Sequence, residues 1–181
     1  MTRYIALLRG VNVGKANRLP MAGFKATLEA MQCTQVKTLL NSGNAVFDSK
    51  ARSCAKLAAA ITAGLNEQFG ITTPTIVVSA AQLQDIIRNN PLRPADDGHS
   101  RFLVAFSQDA NMLKPLAAHS SLAAPGERFA VTDKAAYLDC PQGFMESRLA
   151  AKVLGKAGSA FTTRNWATVL KLGELCDTAK R

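Results

Sequence analysis

The stretch Tyr4–Arg18, YIALLRGVNVGKANR, decides how the rest of the chain is read. Its first half, Tyr4 to Leu8, is a continuous apolar run, the pattern of a strand covered on both faces. Its second half, Arg9 to Arg18, changes abruptly in character. It contains Gly10 and Gly14, Asn12 and Asn17, and the cations Arg9, Lys15 and Arg18. A buried strand that empties into a cationic, amide-rich loop is a common way to build a binding site, because the strand fixes the loop and the loop presents the chemistry.

Working outward, the next elements alternate in kind. Pro20 and Met21 open a helix to about Met31, with Phe24, Leu28 and Met31 on one face. Val36 to Leu40 and Ala45 to Phe47 are strands joined by the turn Asn41-Ser42-Gly43-Asn44. A helix from Ser53 to Phe69 carries Leu57, Ile61, Leu65 and Phe69 along one side, and Gly70 stops it. Thr75 to Val78 is a fourth strand. This β-α-β-β-α-β order predicts a split βαβ unit of ferredoxin-like type. Ser79 and Gln82 form a capping box for a further helix that ends at Asn90-Pro91.

The second half repeats the pattern with different residues. Arg101 to Phe106 is a strand, and a helix follows near Ala110 to His119, with Pro115 weakening its first half. Arg128–Val131 and Ala136–Cys140 form a hairpin. Met145, Leu149 and Val153 stripe a helix that ends at Gly155. Phe161 supplies a short strand, and Thr162 or Thr163 caps a last helix bearing Trp166, Val169 and Leu170. The fold class expected is therefore α+β, with two ferredoxin-like lobes. Residues 1–90 form the first lobe with its following helix, 91–100 a linker, and 101–181 the second lobe. A single larger α+β sheet is the alternative.

Composition narrows the function. Of 181 residues, 48% are hydrophobic and 19% charged, which describes a folded globular chain. No apolar run approaches the roughly 20 residues of a membrane helix, and the N-terminal run stops at Arg9, so the expected partner is not a membrane and the expected location is cytoplasmic. Cys33, Cys54, Cys140 and Cys176 are scattered, as are His99 and His119, so neither a metal nor a cofactor is expected. The net charge of +9 is unevenly placed. Residues 1–56 carry +7, residues 57–147 carry −3 and residues 148–181 carry +5. Basic ends that meet in space would attract an anion, either a small phosphate-bearing molecule or a nucleic acid.

Three polar segments stand out: the opening loop, the Asn41–Asn44 turn and Thr162-Thr163-Arg164-Asn165-Trp166. A helix start at Arg164 would offer free amides and a forked donor to an anion. The opening loop has neither GxGxxG spacing nor a Ser or Thr after Gly14-Lys15, so it is not a P-loop. Arg9, Lys15 and Arg18 remain able to surround an anion. No nucleophile-and-base arrangement is visible. An RNA-binding sheet would need aromatics on its central strands, where only Tyr4 and Phe47 occur.

Taken together, LLRGVNVG (Leu7–Gly14), SGNAVF (Ser42–Phe47) and TTRNWATVLKL (Thr162–Leu172) resemble the bacterial domain-of-unknown-function family 1697. The resemblance implies a two-lobed α+β fold with ferredoxin-like halves and no established activity. It marks Arg9, Gly10, Asn12, Gly14, Asn17, Ser42, Gly43, Asn44, Thr163, Arg164, Asn165, Trp166 and Lys171 as signature positions. The chain departs from the family pattern at Lys15, where a glycine is usual, and at Ala16, where a lysine is usual. In the hairpin, Leu39 and Asn41 stand in place of the family's tyrosine and glutamine.

The candidate ligand-binding residues are Arg9, Asn12, Lys15, Asn17, Arg18, Asn41, Ser42, Asn44, Arg164 and Asn165. Four roles are open to them: one composite anion site, an enzyme site using the arginines as electrostatic stabilisers, a nucleic-acid surface, or a network that only fixes the fold.

Overall fold

A computed structural model describes residues 1–14, 17–154 and 160–178. The chain divides into two compact units, Met1–Leu83 with Leu172–Arg181, and Gln84–Lys171.

The first unit holds strands β1 (Thr2–Leu8), β2 (Thr34–Leu39), β3 (Asn44–Ser49) and β4 (Thr75–Ser79), with helices α1 (Met21–Ala30) and α2 (Cys54–Phe69) between them. The four strands form one antiparallel sheet in the order β2-β3-β1-β4. The apolar run Tyr4–Leu8 is the centre of that sheet and is buried on both faces, as its continuous hydrophobicity predicts. Tyr4, Ala6 and Leu8 share a core with Ala45 and Phe47 of β3, Phe24 and Leu28 of α1, and Ile61 and Leu65 of α2. On the opposite side, Arg3 holds Asp48 through a two-pronged ion pair at 2.8 and 2.9 Å and donates to the Cys176 carbonyl at 3.1 Å.

Local chemistry sets the ends of these elements. Ser53 caps α2 by accepting from the Lys56 amide, and Gly70 closes it at φ 64°. Ser79 and Gln82 form the predicted capping box, with the Ser79 amide donating to Gln82 Oε1 at 2.8 Å and the Gln82 amide to Ser79 Oγ at 3.2 Å.

Helix α3 (Ala80–Arg88) begins in the first unit and ends in the second, which also contains β5 (Phe102–Ser107), β6 (Arg128–Val131), β7 (Ala136–Asp139), α4 (Arg148–Leu154) and β8 (Phe161–Asn165). These strands form a second antiparallel sheet in the order β6-β7-β5-β8. Helix α5 (Trp166–Asp177) begins in this unit, and its residues from Leu172 onward belong to the first. Phe102 lies against Trp166 edge-on at 5.6 Å and against Tyr137 at 6.5 Å, so Trp166 is a core residue.

Three details depart from the pattern read in the sequence. Residues 91–100 fall within the second unit, and Asp96–Arg101 form a 3₁₀ helix. The segment near Ala110 to His119 is two 3₁₀ helices, Ala110–Met112 and Lys114–Leu122, because Pro115 lacks the amide an α-helix would need there. Helix α4 starts at Arg148 behind Ser147, which accepts from the Ala150 amide at 2.9 Å, so Met145 is left 98% exposed outside it. The predicted stop at Gly155 lies outside the described residues.

Candidate functional site

The opening loop leaves β1 at Leu8 and is tied down at several points. The Leu8 amide donates to the Gly43 carbonyl at 2.8 Å, and the Arg9 amide to the Pro74 carbonyl at 3.0 Å. The Thr73 hydroxyl donates to the Arg9 carbonyl. Val11 and Leu19, at either end of the loop, are each 2% exposed and sit in the first unit's core. Burial of side chains of this size is worth about 1.5–3 kcal/mol each, so the loop is anchored by its apolar residues and displays its polar ones.

The asparagines do most of the bracing. Asn12 adopts φ 56°, a conformation Asn tolerates. Its Nδ2 donates to the Leu19 carbonyl at 2.8 Å and to the Asn41 carbonyl at 2.7 Å, and its Oδ1 accepts from the Leu19 amide at 2.9 Å. Asn17, at φ 50°, donates weakly to the Gly10 carbonyl at 3.4 Å. Asn44 is wholly buried; its Nδ2 donates to the Leu39 carbonyl and to Ser42 Oγ, both at 2.9 Å, closing the β2–β3 turn. Gly43 has φ 75° and lies so close to Leu8 and Val11 that no Cβ would fit.

What remains exposed is an open pocket of about 390 Å³ lined by Asn12, Arg18, Leu19, Pro20, Met21 and Asn41. The side chains of Arg18 and Asn41 are exposed and make no hydrogen bond or ion pair with any other described residue. Pro20 is the N-cap of α1 and offers it no side-chain cap, and no acidic residue lies in its first turn. The first helical bond is from Phe24 to the Pro20 carbonyl, so the amides of Met21, Ala22 and Gly23 precede the ladder. Sequence reading identified Asn12, Arg18 and Asn41 but not Pro20 and Met21; the signal was a helix opening on proline without Ser, Thr, Asp or Asn before it.

Arg9 is half-buried at the base of the loop, and Lys15 lies outside the described residues. Arg164 and Asn165 are in the second unit. Arg164 is on β8, opposite Val104, and not on a helix start. Its guanidinium is buried, donates to Thr162 Oγ1 at 2.9 Å and to the Thr163 carbonyl at 2.8 Å, and burial pushes its pKa down to about 10. The cap of α5 is Asn165, whose Oδ1 accepts from the Thr168 amide at 2.9 Å; Thr162 and Thr163 belong to the strand. Tyr4 and Phe47 contact each other at 6.1 Å within the core under α1 and α2, so neither is exposed to stack on a base. Among the described residues, no His/Cys/Asp/Glu group is placed to hold a metal, and no helix is long and apolar enough to cross a membrane.

Two antiparallel four-stranded sheets with helices, carrying an asparagine-braced pocket lined by Arg18, define an α+β protein with a loop-built cleft. The chain belongs to a family described as a protein of unknown function (DUF1697), whose model matches residues 1–137. The match takes in the opening loop and the Asn41 turn and stops before Arg164. Comparison with curated proteins finds no match. Among solved structures, the chain is similar to the conserved bacterial protein SP0830 from Streptococcus pneumoniae, with a TM-score of 0.80 over 97% of this chain and 99% of that one. At 22% identity, that likeness is one of fold.

Proposed function

We propose that this protein binds a phosphate-bearing anion in the pocket beside Asn12, and that Arg18 and the first turn of α1 hold the anion. The observation that carries this reading is the exposed Arg18 guanidinium, without a partner among the described residues, lining the same pocket as an uncapped helix start. A helix start and an arginine both favour negative charge, the first through its free amides and partial positive charge, the second through its forked donors. Asn41 adds a neutral donor, while Asn12 is spent on holding the two loops together. Arg164 and Asn165 play no part in this reading. Among the described residues the lining offers donors to an anion and no carboxylate, histidine or cysteine, so the reading put forward is one of binding.

We further read each unit as ferredoxin-like. Support comes from the β-α-β-β-α-β order of the first unit and from the strand order, with the second and fourth strands at the edges, that both sheets share.

Isothermal titration with inorganic phosphate tests the anion reading. The wild-type protein binds, and Arg18→Ala weakens binding about tenfold or more, the scale of one charge-assisted hydrogen bond. Titration with a short oligonucleotide separates the alternative. A nucleic-acid surface would show affinity falling steeply with salt over many contacts, whereas a single phosphate pocket shows a shallow dependence.

A further inference from the structure

Resting on that reading of the Arg18 pocket, we propose that its ligand is a phosphate monoester with an apolar or planar organic group, and not free phosphate. Two observations lead there. The pocket's volume, about 390 Å³, lies in the range of small-molecule sites. It has room for about a dozen waters, while an inorganic phosphate takes the space of roughly two or three. An anion on Arg18 therefore leaves most of the space unfilled.

The lining is also divided by chemistry. Asn12, Arg18 and Asn41 supply the polar part, and Leu19, Pro20 and Met21 the apolar part. Met21 is only partly buried against the core, so it retains surface for a ligand. A site for a bare ion needs none of this apolar surface. A monoester uses both parts, its phosphate on Arg18 and its organic group against Met21 and Pro20.

The test compares titrations of the intact protein with inorganic phosphate and with phenyl phosphate, in wild type and in Met21→Gln. The wild type is expected to bind phenyl phosphate at least tenfold more tightly than phosphate. Met21→Gln is expected to bring phenyl phosphate down to the phosphate level, and a cooperative thermal unfolding transition shows that the variant is folded. Equal affinities in the wild type would overturn the monoester inference and leave the anion reading standing. A preference for phenyl phosphate that Met21→Gln leaves intact would overturn the assignment of the organic group to Met21. Absence of binding by both compounds would overturn the anion reading itself.

Discussion

Asn12 donates from Nδ2 to the backbone carbonyl of Asn41 at 2.7 Å, joining two loops that lie 29 residues apart in sequence. The same amide group also brackets Leu19 through its carbonyl and its N–H. One side chain thus sets the spacing between the opening loop, the β2–β3 turn and the start of α1.

Removing that side chain should cost accordingly. Three hydrogen bonds at about 0.5–1.5 kcal/mol each, together with about 1 kcal/mol for forcing alanine to a positive φ, put Asn12→Ala at about 2.5–5.5 kcal/mol in urea unfolding. Asn12→Gly loses the same bonds without the backbone strain and is expected to be about 1 kcal/mol milder. Equal losses for the two variants would show that the conformation at φ 56° is not part of the cost.

Gly43 offers a second test of how the loops dock. A Cβ there would lie 2.6 Å from Val11 Cγ2 and 2.7 Å from Leu8 Cβ, at φ 75°. Gly43→Ala therefore meets both a backbone penalty of about 1–2 kcal/mol and an overpacking penalty of about 1–3 kcal/mol. Gly70→Ala is the control: its φ is 64°, but a Cβ would meet nothing within 4 Å. Thermal unfolding is expected to place Gly43→Ala well below Gly70→Ala in stability.

These positions show what the sequence discloses and what it conceals. The strand Tyr4–Leu8, the capped helix α2 and the capping box at Ser79 are written locally, in periodicity and end chemistry, and the structure carries them as read. The asparagines were legible as special, but not as braces, because their partners are backbone carbonyls and a carbonyl leaves no trace in a sequence. Arg164 looked like an anion donor at a helix start. In the structure, Asn165 takes the cap and Arg164 continues β8, a boundary shift of a few residues that buries its guanidinium. The pocket depended on the uncapped Pro20, a missing residue type and not a motif.

Tyr137 should leave a mark at high pH. It is 1% exposed, and its hydroxyl donates to the Ile86 carbonyl at 2.9 Å. Burial pushes its pKa up from 10 to about 12. The folded protein therefore keeps this proton where the unfolded chain gives it up. The stabilisation is complete below about pH 10 and is lost as the pH rises to about 12. Tyr137→Phe lacks this dependence, so the stability gap between wild type and variant is expected to narrow across that window. In Tyr4→Phe, which leaves Tyr137 as the only tyrosine, the phenolate absorbance is expected to rise near pH 12 in the folded protein and near 10 once it is unfolded.

Pro20 gives the sharpest separation between a structural loop and a binding one. An aspartate there can cap α1 by accepting from its first-turn amides, a gain of about 1 kcal/mol, offset by about 0.4–1 kcal/mol for losing the proline's restraint on the unfolded chain. Pro20→Asp is thus expected to be close to neutral in stability. It would also place a carboxylate on the amides and beside the guanidinium that an anion would use, so phosphate affinity is expected to fall at least tenfold. Pro20→Asn supplies a similar cap without the charge and should fall less. Should Pro20→Asp bind phosphate as the wild type does, the start of α1 takes no part in the site. Calorimetry on the three proteins, with unfolding curves for each, decides between these outcomes, since the stability and binding effects of this substitution are expected to diverge.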